Sequence, residues 1–118
     1  MSLTETRAEI AKNLESFGYS VYSYPKESMI APALVLVPGS PYVQFDTPTR
    51  RSVKFQLTIM VAANDNQAAL VNLETIIDEV SDILPTWFAI SDFTQPQIVE
   101  IGSTSYLTTD INIQTTII

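Results

Sequence analysis

Glu74, Asp78 and Asp82 stand four residues apart in a stretch of helical pattern, so one helix face carries them as a row, with Glu79 beside it. No Lys or Arg lies anywhere in residues 64–84. Like charges at this spacing each cost a few tenths of a kcal/mol. Glu79 and Asp82 also lie near the helix C-terminus, where the macrodipole disfavours negative charge. A helix that tolerates about 1 kcal/mol of avoidable repulsion either solvates this row or presents it to a positive partner. Chelation of a metal fits less well, because a straight row along a helix does not converge on one ion. The opposite charge is also clustered: Arg50, Arg51 and Lys54 hold half of the six basic residues. They read either as a basic strand start balanced by Asp46 or as a contact patch.

The residue types that are missing narrow the chemistry further. The chain contains no histidine and no cysteine. Zinc and iron sites built on imidazole or thiolate are excluded, as are Cys–His and Ser–His–Asp arrangements. A disulfide framework is impossible, so stability must come from burial or assembly. What remains is carboxylate chemistry, for example Asp46 and Asp110 in a pocket, or a hard cation held by oxygen. Nothing in the spacing brings two carboxylates together, and the reading is a protein without catalytic residues, cofactor or metal. Thirteen acidic residues against six basic ones give a net charge of -7, the wrong sign for a grip on nucleic-acid phosphates.

Two further features bear on contacts. Pro38-Gly39-Ser40-Pro41-Tyr42 has a lone glycine between prolines, which is no phosphate cradle, since that needs several amides aimed at one anion. Its local meaning is a stiff turn that ends a strand. The aromatic and apolar residues Tyr22, Tyr24, Tyr42, Phe45, Ile117 and Ile118 exceed what a chain of 118 residues buries with ease. Together they read as a contact surface rather than a ligand pocket.

These side chains need elements to hold them. Residues 2–16 are helical in pattern, opened by the capping box Ser2-Leu3-Thr4-Glu5 and closed by Gly18, with Leu3, Ile10, Leu14 and Phe17 on one face. Residues 19–24 alternate as a strand that Pro25 ends, and residues 26–32 form a loop. Residues 33–37 are apolar throughout, which predicts a strand covered on both faces and set mid-sheet, broken at residues 38–41. Residues 42–45 form a short strand and residues 46–49 a turn. Residues 52–63 are the clearest strand, with Val53, Phe55, Leu57, Ile59 and Val61 on one face and Lys54, Gln56, Thr58 and Met60 on the other. Asn64, Asp65 and Asn66 cap a helix over residues 67–84, whose apolar stripe is Leu70, Leu73, Ile76, Ile77, Val80, Ile83 and Leu84, ended by Pro85. Residues 87–90 are apolar and fit helix or strand. Residues 97–101 and 106–117 form a hairpin joined at residues 102–105, with Leu107, Ile111, Ile113 and Ile117 on one face.

This order predicts one α+β domain, a mainly antiparallel β-sheet with two α-helices packed on one face. No apolar run reaches the ~20 residues of a membrane helix, and the charged N-terminal helix pattern is not a secretory signal. The chain reads as cytoplasmic.

The arrangement also has a likeness. An initial helix leads to Ala33-Leu34-Val35-Leu36-Val37-Pro38-Gly39-Ser40-Pro41-Tyr42-Val43, and a loop enters Arg51-Ser52-Val53-Lys54-Phe55-Gln56-Leu57-Thr58-Ile59. An Asn/Asp-rich turn opens the helix with its carboxylates, and the chain closes on Gly102-Ser103-Thr104-Ser105-Tyr106-Leu107-Thr108-Thr109-Asp110-Ile111. Over nearly its whole length this resembles the tail terminator (tail completion) proteins of long, non-contractile-tailed bacteriophages. The resemblance implies a virion structural protein, assembled in the host cytoplasm as a hexameric ring on the finished tail tube. Such a ring ends tube polymerisation and offers a surface to the neck of the filled head, with DNA only passing through its lumen. It implies no enzyme activity, no cofactor and no membrane partner, and it carries no catalytic motif to map. A head–tail connector or neck protein of the same virion is the alternative. In a head-to-tail ring, Arg50, Arg51 and Lys54 of one subunit would face Glu74, Asp78 and Asp82 of the next, with Tyr42 and Phe45 as apolar contacts. A rival placement sets the acidic row at the lumen, where it repels DNA.

Overall fold

The computed structural model describes residues 2–16, 18–22, 32–63, 66–83, 89–90 and 92–117. The expectations for Phe17, Tyr24, Pro25, residues 26–31, Asn64, Asp65, Leu84, Pro85, residues 87–88 and Ile118 lie outside them, as do the side chains of Asn66 and Ile83. The elements are α1 (Leu3–Glu15), β1 (Ser20–Tyr22), β2 (Ala33–Thr47), β3 (Arg50–Ala62), α2 (Asn66–Ile83), β4 (Ala89–Ile90), β5 (Gln97–Ile101) and β6 (Thr104–Ile117). They form the predicted α+β fold: one sheet of order β1-β2-β3-β6-β4, with β5 also paired to β6. Every pairing is antiparallel except β1 with β2.

The first helix begins as its sequence dictates. Ser2 accepts a hydrogen bond from the Glu5 amide at 3.1 Å, which satisfies one open amide of the helix start, and its hydroxyl donates to the Glu5 carboxylate at 3.2 Å. Thr6 was not foreseen as a core residue, yet it is 1% exposed. Its hydroxyl donates to the Ser2 carbonyl at 2.9 Å, which makes the burial tolerable. Gly18 stops the helix at φ +91°, a value that favours glycine.

Alternation along the strands sorts the side chains into two layers. On one side, Leu34 and Leu36 of β2, Val53 to Val61 at every second position of β3, and Ile111, Ile113 and Ile117 of β6 meet Ile10 and Leu14 of α1 and Ala69, Leu73, Ile76 and Val80 of α2. Both helices therefore share one face. On the other side a smaller cluster joins Ala33, Val35, Met60 and Tyr106, flanked by Tyr22, Val37 and Ile101. The apolar run at the start of β2 is thus covered on both faces, and β2 has a strand on each side over Ala33, Leu34 and Val35.

Several expectations are corrected. Pro38 to Pro41 do not break the strand: β2 continues to Thr47 through a bulge in which the register moves from Pro38↔Phe55 to Val43↔Val53. Here β2 has no neighbour on its outer side among the described residues, and an edge of this kind is where a sheet tolerates proline. Gly39 makes the bulge possible, because a Cβ there would stand 2.7 Å from the Lys54 Cγ and 2.8 Å from the Lys54 carbonyl oxygen. Asp46 and Thr47 belong to β2, and the turn shrinks to Pro48-Thr49 between the paired Thr47 and Arg50. The second hairpin tightens likewise, from residues 102–105 to Gly102-Ser103, with Gly102 at φ +63°. On α2 the buried stripe runs Ala69, Leu73, Ile76, Val80, whereas Leu70 is 43% exposed. The spacing of four, three and four centres the stripe on Ala69 and leaves Leu70 one position off its axis.

Candidate functional site

The β2–β3 hairpin extends beyond the helices. An 18-residue helix spans about 27 Å, while a 13-residue strand spans about 43 Å. A short connection joins the end of β3 to the start of α2, so the excess strand length falls at the hairpin turn. Residues 44–50 are all exposed, and the molecule is correspondingly long, 49 × 27 × 25 Å.

This arm carries the basic residues and both named aromatics, and it separates them. Phe45 and Arg51 are direct cross-strand partners, and Arg51 alternates with Val53, which puts it on the helix-bearing side. Arg50 and Lys54 alternate with Gln56, on the opposite side. Arg50, Arg51 and Lys54 are therefore not one patch. Phe45 is 67% exposed at the arm. Tyr42 is not exposed as expected: it is half-buried and meets the Phe55 ring edge-on, with centroids 5.7 Å apart at 74°. Ile117 is also core, 5% exposed, and Tyr22 is half-buried in the smaller cluster. Asp46 accepts a hydrogen bond from the Ser52 hydroxyl at 2.6 Å, so a neutral partner holds its carboxylate.

The acidic row is where the helical spacing put it. Glu74, Asp78 and Asp82 are all exposed and Glu79 is partly covered. No basic residue stands in the last turn of α2 to offset them. Two apolar residues, Leu70 and Val71, precede the row and are 43% and 55% exposed. Leu70, Glu74, Asp78 and Asp82 share one line of four-residue steps. The hydroxyls of Thr75 and Ser81 turn back to the Val71 and Ile77 carbonyls at 2.9 and 2.7 Å, while the carboxylates, the apolar pair and Gln67 are exposed on this face.

The helix-free side of the sheet holds an arrangement that sequence reasoning missed. Asp92, Thr94, Gln56, Asp110 and Asn112 line an open cavity of about 240 Å³, so two carboxylates do share one depression. Asp46, the other carboxylate considered with Asp110, lies instead on the hairpin arm. Asp110 accepts from the Thr58 hydroxyl at 2.5 Å across the β3–β6 pair. Thr94 is latched to β6: its amide donates to the Asp110 carbonyl at 2.9 Å, and its hydroxyl accepts from the Asp110 amide at 2.9 Å. The Thr109 hydroxyl donates to the Thr94 carbonyl at 2.6 Å. Alternation on β6 puts Asp110 and Asn112 on this face, but residues 92–96 follow no strand period, so Asp92 could not be placed from the sequence.

A second cavity, about 350 Å³, lies between α2 and the end of β3, against Pro32, Val61, Ala62, Asn72, Thr75 and Ile76. These named residues include no group that titrates near neutral pH. Among the described residues, no group of three or more carboxylates is placed to hold a metal ion, and no helix is long and apolar enough to cross a membrane. Comparison with models of known protein families and with curated proteins finds no match for this chain.

Proposed function

We propose that this protein is a structural component of a long-tailed phage virion, a tail terminator that acts as a homo-oligomeric ring, hexameric in its family's manner, without catalysis. The observation that carries the reading is where the charge lies. Glu74, Asp78 and Asp82 of α2 and Arg50 of the hairpin arm are exposed, and Arg51 is half-buried beside them on the arm. Among the described residues these charges do not converge on a cavity. Groups placed this way can set the register and partner of an assembly. They cannot position a substrate between an acid and a base.

The ring would seat on the tail tube protein, stop its growth, and receive the neck protein of the filled head. Its acidic balance suits a channel that DNA traverses without being held. The test is inactivation of the gene followed by electron microscopy of the particles. Loss of a terminator leaves tubes of excess and variable length, and supplying the protein in trans restores a single length. Normal-length tails beside separate filled heads would refute the terminator role and assign the chain to the neck instead.

A further inference from the structure

Two surface patches of this chain match in size and polarity and carry opposite charge. One holds exposed Phe45 beside half-buried Arg51, and the other holds exposed Leu70 beside exposed Glu74. On the hairpin arm, Phe45 and Arg51 are cross-strand neighbours, whose Cβ atoms stand about 5 Å apart in such pairs. On α2, Leu70 and Glu74 are one turn apart, with about 6 Å between Cβ atoms at that spacing. Each patch thus sets one large apolar side chain beside one charge, at nearly the same separation, and the charges are opposite. Val71 widens the apolar spot beside Leu70, and Asp78 extends the acidic line by another turn. Large apolar side chains as exposed as Phe45 at 67% and Val71 at 55% are what a contact covers.

We infer that the arm of one copy docks on the outer face of α2 of the next, Phe45 against Leu70 and Val71, and Arg51 against Glu74 and Asp78. This rests on the ring reading above and names its contact. The patches differ, so the contact is head-to-tail and leaves a free arm and a free helix face at each step until the ring closes. The aromatic anchor supplies most of the affinity, and the ion pairs fix register. Lys54 takes no part, because alternation along β3 turns it to the helix-free side.

Sedimentation equilibrium of the full chain over protein and salt concentration, alone and with purified tail tubes, tests the contact. F45A is expected to weaken self-association by about tenfold or more, and R51E by about tenfold. E74R alone should weaken it similarly, while R51E combined with E74R should restore most of it. K54E makes the same charge change as R51E and should leave association unaltered. Circular dichroism melting of each variant separates loss of contact from loss of fold. Association that is insensitive to R51E, a double variant without rescue, or wild-type chain that stays monomeric with and without tubes would each overturn the contact. If R51E assembles normally and still limits tube length, the contact fails while the terminator role stands. If the charge swap rescues association in a chain that never limits tubes, the role fails while the contact stands.

Discussion

On the helix-bearing side of the sheet, every second residue of β3 from Val53 to Val61 is closed off from water, whereas on the other side Lys54, Gln56 and Thr58 keep partial access and Met60 alone is buried. The same strand supplies both sets, so backbone geometry does not explain the difference. The helices do. Ala69, Leu73, Ile76 and Val80 of α2 descend on β3 and β6, and Ile10 and Leu14 of α1 complete the layer. Among the described residues no helix covers the opposite side, where Met60, Tyr106, Ala33 and Val35 shield one another. Toward the arm that side turns polar, with Thr58 opposite Asp110, Gln56 opposite Asn112 and Lys54 opposite Gln114. The first side pays for folding, and the second remains available to solvent or to a partner.

Truncations on the two sides should differ in cost, and the difference can be measured. Phe55→Ala empties a fully buried site against Tyr42 and is expected to cost about 3–5 kcal/mol, read from urea denaturation. Met60→Ala, in the smaller cluster, should cost about 2 kcal/mol, near the low end for buried methionine. If Met60→Ala proved as costly as Phe55→Ala, the helix-free cluster would be a second full core and the contrast would collapse. Thr94→Val should cost about 1 kcal/mol, because it keeps the shape but leaves the Asp110 amide without its acceptor. Amide hydrogen exchange at Asp110 should quicken in that variant. Unchanged exchange would mean that the latch on β6 does not hold this edge of the sheet.

The edges of the sheet show why some of the fold could be read in advance and some could not. Leu57, Ile59 and Val61 announce their face by strict alternation, and Ser2 with Glu5 announces a helix start, because each signal is complete within a few residues. The bulge at Gly39 depends on how closely β2 approaches Lys54, a distance that no local pattern encodes. Prolines at 38 and 41 read as a break, since the pattern does not say that this stretch of β2 lies on an open edge. The same limit applies to the proposed contact. The acidic row was legible from its spacing of four, but Arg51 and Lys54, three positions apart on a strand, point to opposite faces. Leu70 read as core because its neighbour Ala69, the true member of the stripe, is small.

By itself the sequence determined the α+β class, the capped first helix, the inward face of β3, the exposed carboxylates and the absence of imidazole and thiol chemistry. These follow from periodicity, capping and composition, which act over a turn or a strand and need no partner element. The tertiary structure alone decided which helix residues reach the sheet, that Tyr42 and Ile117 are core, that Asp92 and Asp110 share a cavity, and that Phe45 and Arg51 stand side by side on a projecting arm. Each of these depends on register between strands distant in the chain, and register is set by the packing of the whole sheet.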